Sequence, residues 1–160
     1  MIRMIHHRGW TAIGFALACA ACGSAAAPAI AAPIEACSVL TLDEIKSAIG
    51  RGDFSRGKPD DGGTKCRYAS GRGSLSVWLS ATTKASFDDF RNLLTEQGKK
   101  PEAVAGVGDD AYFWDDRLYV RVGNRGLTID LNKNGLAPEP SASIRAKVLA
   151  LAKAAVPKLR

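Results

Sequence analysis

The stretch "GDDAYFWDD", Gly108 to Asp116, sets four aspartates around an aromatic-rich run. Carboxylates at that density could ligate a hard cation or share acid–base work on a substrate. The spacing argues against both. If Ala111 to Trp114 is a strand, five residue steps of about 3.3 Å put Asp110 and Asp115 roughly 16 Å apart. One ion cannot bridge that, because its carboxylate ligands must lie within about 2.6 Å. Nor does the pattern match the D-x-D-x-D-G calcium loop. Neighbouring residues of a strand point to opposite faces, so neither Asp109-Asp110 nor Asp60-Asp61 is arranged as the acid and base of a hydrolase. The aspartates are expected to punctuate a strand, one pair before it and the other in a tight reversal after it. No catalytic residue, metal site or cofactor is expected.

Other chemistries fall away on composition. His6 and His7 are the only histidines, and both precede residue 33. The rest of the chain therefore lacks a histidine base, a Ser-His or Cys-His nucleophile and a histidine-bound zinc. No GxxxxGK[ST], helix-opening GxGxxG or GxSxG motif is present. Arg51-Gly52-Asp53 matches an integrin-type tripeptide, but three residues in a glycine-rich loop match by chance.

The first residues read as an address. Arg3 and Arg8 precede an apolar run from Trp10 to Ala21, then small residues lead to "AIA" at Ala29 to Ala31. That is the layout of a bacterial secretory signal, expected over residues 1–32, and its apolar run is shorter than the roughly 20 residues of a spanning helix. Within it, "LACAACGS" offers a lipoprotein alternative. Cys22, and less well Cys19, is a candidate for acylation, with 23–36 as a tether. The chain is thus expected in the periplasm or outside the cell, touching membrane only through such an anchor.

About 129 residues then remain, enough for one domain, expected over 37–160. The formal charge of +6 becomes +4 without Arg3 and Arg8, because the signal contains no acidic residue. This mild, interspersed excess lacks the dense cluster of a nucleic-acid binder. The remaining cysteines, Cys37 and Cys66, read as one disulfide in an oxidising compartment. It would close a loop worth roughly 3.5 kcal/mol in the chain-entropy model.

The elements that must position these residues follow from periodicity. "LTLDEIKSAIG" is a helix with a Thr41-x-x-Glu44 capping box, an apolar face of Leu42, Ile45, Ala48 and Ile49, and Gly50 as its stop. "TKCRYAS" and "SLSVWLSATT" are strands joined through Gly71 to Gly73. In the second, Leu75, Val77 and Leu79 alternate with Ser76, Trp78 and Ser80, so one face is apolar. "SFDDFRNLLTEQG" is a helix capped by Ser86, with Asp88 and Asp89 in its first turn and a stripe of Phe87, Phe90, Leu93 and Leu94. "AYFW", "RLYVRVG" and "LTIDL" are strands. "SASIRAKVLALAKAAV" is a helix with Ile144, Val148, Leu151 and Ala155 inward and Arg145, Lys147 and Lys153 on a solvated face. The expected fold is α+β in the order α-β-β-α-β-β-β-α. It is an antiparallel sheet of about five strands with about three helices mainly on one face.

The cysteine before the T-L-x-E-I helix, the second cysteine in "C-x-Y" and the segment "V-x-G-V-G-D-D-A-Y" carry a resemblance. From Cys37 to about Val156 the chain resembles a broad class of exported bacterial proteins of unknown function. These are often lipoproteins, are best known from actinobacteria, and include PsbP-like domains and domains similar to extracellular sensors of receptor kinases. The resemblance implies that the two cysteines pair and that the glycine-aspartate segment leads into a central strand. It implies no catalytic residue.

The favoured function is therefore a non-enzymatic binding or sensor-like domain of the cell envelope, with an envelope protein or a small ligand as partner. Its candidate surface is the sheet face bearing Trp78, Tyr112, Trp114, Tyr119 and Arg121, since recognition surfaces use aromatics with arginine. Alternatively the same residues complete a second core layer. A different class of function is an immunity or inhibitor protein that blocks a toxin or hydrolase through a protein interface.

Overall fold

The computed structural model describes residues 34–71, 75–133 and 140–160. The signal and the candidate acylation sites Cys19 and Cys22 lie outside the described residues. So do most of the 23–36 tether and the centre of the 71–73 turn.

The chain runs α1 (Ala36–Val39), α2 (Leu42–Ile49), β1 (Lys58–Asp60), β2 (Lys65–Ala69), β3 (Leu75–Thr83), α3 (Lys84–Glu96), β4 (Glu102–Ala103), β5 (Asp110–Trp114), β6 (Arg117–Val122), β7 (Arg125–Lys133) and α4 (Ser141–Ala155). The architecture is α+β. One seven-stranded sheet has the order β1-β2-β3-β7-β6-β5-β4, and every pairing is antiparallel. The two strands and one helix beyond the expected tally are short. α1 has four residues, β1 three and β4 two, too few to show a period in the sequence. β1 and β4 are also the sheet's edges. Brevity, Pro59 in β1 and charged ends leave little open ladder for another chain to pair with.

The seam of the sheet is β3 against β7, paired from Leu75–Lys133 to Thr83–Arg125. That register sets Leu75, Val77 and Leu79 beside Leu131 and Ile129 on one face. Leu118 and Val120 of β6 and Ala111 and Phe113 of β5 continue the layer. Val39, Ile45 and Ile49 from α1 and α2 and Val148, Leu151 and Ala155 from α4 close it. The cap of α2 forms as its sequence reads. Glu44 N–H donates to Thr41 Oγ1 at 3.3 Å while the Glu44 carboxylate accepts from Thr41 N–H at 2.7 Å, and Gly50 ends the helix at φ 75°. Cys37 and Cys66 are disulfide-bonded, pinning α1 to β2.

The helices lie mainly on one face, with one exception. α1, α2 and α4 share the main core, but α3 lies on the opposite face. The cause is β5 and β6. Their residues alternate so that Ala111, Phe113, Leu118 and Val120 face the main core while Tyr112, Trp114 and Tyr119 face away. Those rings need cover, and Phe87, Phe90 and Leu94 of α3 provide it. α3 also starts three residues early. Thr83, not Ser86, is its cap, accepting from Ser86 N–H at 3.2 Å, so Asp88 and Asp89 fall beyond the first turn and Asp88 pairs with Lys84. Leu93 leaves the apolar stripe and is 46% exposed.

Candidate functional site

The aspartates of the opening stretch serve the fold, each in a different way. Asp109 accepts from Gly123 N–H at 2.7 Å, tying the entry of β5 to the β6–β7 turn. Asp110 takes a two-pronged pair of hydrogen bonds from Arg91 at 2.7 and 2.8 Å, fastening α3 to β5. Those bonds hold the Asp110 carboxyl below its ordinary range, against a smaller opposing effect of burial. Asp115 sits in the two-residue β5–β6 turn at φ 52°. Asp116 accepts from Ser141 and from Arg145 Nε at 3.4 Å, while Arg145 also reaches the Asp115 carbonyl at 2.9 Å and Glu102 at 2.6 Å. Arg145 is therefore no part of a solvated face. It clamps α4 to the β5–β6 hairpin, with its guanidinium 4.8 Å from the Phe113 ring.

The remaining acidic and basic motifs are also internally used. Asp60 accepts from Asp61 N–H at 2.9 Å, and Asp61 pairs with Lys65 at 3.0 Å. Arg51 and Asp53 bond one another through both guanidinium prongs. Among the described residues no group of three or more His, Cys, Asp or Glu side chains is placed to hold a metal ion.

The five residues read as a recognition face separate. Tyr112 is buried beneath α3, stacked at 4.9 Å on Tyr119, with Phe87 5.0 Å away and the Arg91 guanidinium 4.5 Å from its ring. Burial pushes its hydroxyl up to about 12. It belongs to a second core layer. Trp114 packs at the rim of that layer, and Arg121 lies 3.9 Å from Asp109. Tyr119 stacks on Phe90 at 5.0 Å and borders the part of the face that α3 leaves open. Trp78 lies within that open part.

The open part is built by strand alternation. Arg67 opposes Trp78, Trp78 opposes Asp130, and Ser80 opposes both Lys65 and Thr128. Lys65, Trp78, Ser80, Thr128 and Asp130, together with Arg117, Tyr119 and Asn132, line a shallow cleft of about 340 Å³. Trp78 also walls a smaller recess of about 170 Å³ with Lys58, Pro59, Asp60 and Arg67. The Arg67 guanidinium stacks over the indole at 5.3 Å. Its Nε is buried and has no hydrogen-bond partner among the described residues. Trp78 Nε1 donates to Ser76 at 3.1 Å, which satisfies the indole and fixes the ring. Arg117 pairs with Asp130 at 3.0 Å, the main cause of its raised pKa. Burial raises the Tyr119 hydroxyl, and the neighbouring Arg117 guanidinium offsets part of that.

Another recess, about 440 Å³, lies beside Gly123, Asn124 and Arg160. There Arg125 holds the chain end, donating to the Leu159 and Arg160 carbonyls at 3.3 and 3.5 Å, and Asp109 accepts from Gly123 N–H.

Lys65, Arg67, Arg117, Thr128, Asp130 and Asn132 of the open face were not singled out by sequence reasoning. Each stands at a polar position of an alternating strand, a signal in itself. Their convergence depends on the β3–β7 pairing across some fifty residues of chain, which local periodicity does not report.

Fold and face together define a small disulfide-linked α+β domain whose sheet is covered on one side and half covered on the other. No protein-family model, curated protein or solved structure matches the chain.

Proposed function

We propose that the protein is an exported, non-enzymatic binding domain of the bacterial cell envelope that takes its ligand on the uncovered half of the outer sheet face. One observation carries the reading. Beside a fixed, partly exposed tryptophan, Arg67 keeps a buried Nε without an acceptor among the described residues. Unsatisfied buried donors are uncommon in folded proteins because each costs about 1–3 kcal/mol, and this one belongs to a guanidinium that walls the recess beside Trp78 on the uncovered face. The Cys37–Cys66 disulfide favours an oxidising compartment. The signal read at residues 1–32 supplies the route, and acylation of Cys22 would keep the domain at a membrane surface. Among the described residues, no helix is long and apolar enough to cross a membrane.

The test is capture from envelope extract with the tagged, exported protein and its Trp78→Ala variant, analysed by mass spectrometry for proteins, glycans and lipids. The expected result is a component held by the wild type and lost from the variant, whose near-ultraviolet and far-ultraviolet dichroism confirm folding. Equal capture by both would remove the face as the site. One protein held at equal stoichiometry through Trp78 would turn the reading toward an inhibitor.

A further inference from the structure

The open face carries an uneven distribution of charge and of hydrogen-bonding capacity. Four cations line its two recesses, Lys58, Lys65, Arg67 and Arg117, against Asp60 and Asp130. Arg117 is paired with Asp130, and Lys65 with Asp61. Asp60 is engaged by the Asp61 N–H. Lys58 and Arg67 are left without an ion-pair partner among the described residues, on the same side of Trp78. A guanidinium fork presents parallel donors that match a carboxylate, and an adjacent ammonium adds charge without demanding geometry.

On the other side of the indole the character changes. Ser80, Thr128 and Asn132 line the larger cleft and make no side-chain hydrogen bond to a described residue. Hydroxyls and amides both donate and accept, so this group suits a ligand that does the same along one edge. From Arg67 on β2, across Trp78 on β3, to β7 is two strand spacings, or about 10 Å. The cleft, at about 340 Å³, is near the lower bound of about 300 Å³ for small-molecule sites. A free phosphate is acceptor-rich and has no apolar face to lay on an indole. An extended peptide would favour a sheet edge, and both edges here are short.

Resting on the sheet-face reading above, we infer that the ligand is an acidic sugar. Its carboxylate meets Arg67 and Lys58, its ring lies along Trp78, and its hydroxyls reach Ser80, Thr128 and Asn132.

The experiment measures binding to the folded domain by calorimetry and by the Trp78 indole N–H resonance. The probes are three acidic saccharides, each beside its neutral counterpart. They are a β-1,4-glucuronate trimer with cellotriose, an α-1,4-galacturonate trimer with galactotriose, and an N-acetylmuramate-containing disaccharide with diacetylchitobiose. Tetraglutamate is the peptide control. At least one acidic saccharide is expected to bind about 10- to 100-fold more tightly than its neutral counterpart, the range of a charge-assisted hydrogen bond, and to weaken with added salt. Arg67→Met keeps the apolar stem over Trp78 and removes the fork. It should bring that ratio to about one and leave neutral-sugar affinity within about threefold, with Arg67→Lys intermediate. Equal affinity of the acidic and neutral forms for the wild type would overturn the carboxylate assignment while leaving the face intact. Binding of tetraglutamate with a Trp78 shift, and of no saccharide, would overturn the sugar and make the ligand an acidic protein segment. If no probe bound, the acidic-sugar inference would fail, and capture with Trp78→Ala would still decide the face.

Discussion

Replacing both half-cystines, as Cys37→Ala with Cys66→Ala, tests how much of the fold depends on a single cross-link. The bond joins residues 29 apart in sequence. Opening it returns to the unfolded chain the freedom that loop closure had removed, about 3.5 kcal/mol at 25 °C in the chain-entropy model. Cys66 is fully buried in the main core, so truncating its sulfur adds up to about 1 kcal/mol. The loop holds α1, α2 and β1, and a helix of α1's four residues does not persist alone. It is kept by burial of Ala36 and Val39 and by the bond itself. The expected loss is therefore about 3.5–4.5 kcal/mol, a large share of the 5–15 kcal/mol of a typical domain. The assay is urea unfolding of wild type and double variant, followed by tryptophan fluorescence and far-ultraviolet dichroism. The m-value should rise in the variant, because its unfolded state is no longer cross-linked. A loss below about 1 kcal/mol, with coincident transitions by both probes, would refute the reasoning. It would mean that packing of α1 and α2, not loop closure, holds the amino-terminal part of the core.

Three further outcomes follow from the same structure. Arg91 lowers the Asp110 carboxyl pKa, so the pair contributes stability above the ordinary value of 3.8 and loses it as pH falls through the lower folded value. Asp110→Asn should lower the melting temperature at neutral pH and flatten the acid limb below about pH 4; an unchanged limb would dissociate the pair from stability. All three tyrosines, Tyr68, Tyr112 and Tyr119, are raised above their ordinary value of 10.0, Tyr112 to about 12 by burial. A raised hydroxyl contributes stability that is present below pH 10 and lost as pH rises through the folded value. Little tyrosinate absorbance is thus expected until the alkaline transition, and Tyr112→Phe should soften that transition. Gly108 has φ 64°, and a Cβ there would lie 2.5 Å from the Arg121 carbonyl oxygen. Gly108→Ala should therefore cost at least about 2 kcal/mol in urea unfolding, against about 1 kcal/mol for Gly106→Ala, where φ is 75° but the space is open.

Gly108 also shows how far the sequence could be read. The segment "VGDDAY" announces a turn before a strand, and the close approach that demands glycine comes from Arg121 on the neighbouring strand. Local signals of this kind were complete where one element determines the outcome. The Thr41–Glu44 box and the Gly50 stop made α2 legible, and the alternation of Leu75, Val77 and Leu79 made β3 legible. Thr83 took the cap of α3 from Ser86 because β3 runs directly into the helix, a continuity that the propensity of Ser86 does not register. β1 and β4 exist only through their partners, since two or three residues carry no period.

By itself the sequence determined the α+β class, the two cysteines available for pairing, and the aspartates as punctuation rather than a cluster. Those properties depend on composition and on neighbours within about ten residues. Only the tertiary structure decided which aromatics are a core and which are a surface. Tyr112, Tyr119 and Trp78 occupy equivalent outward positions on their strands. The path of α3 across β5 and β6 buries the first, half covers the second and leaves Trp78 beside Arg67 in the open, because a helix of thirteen residues covers only part of a seven-stranded sheet.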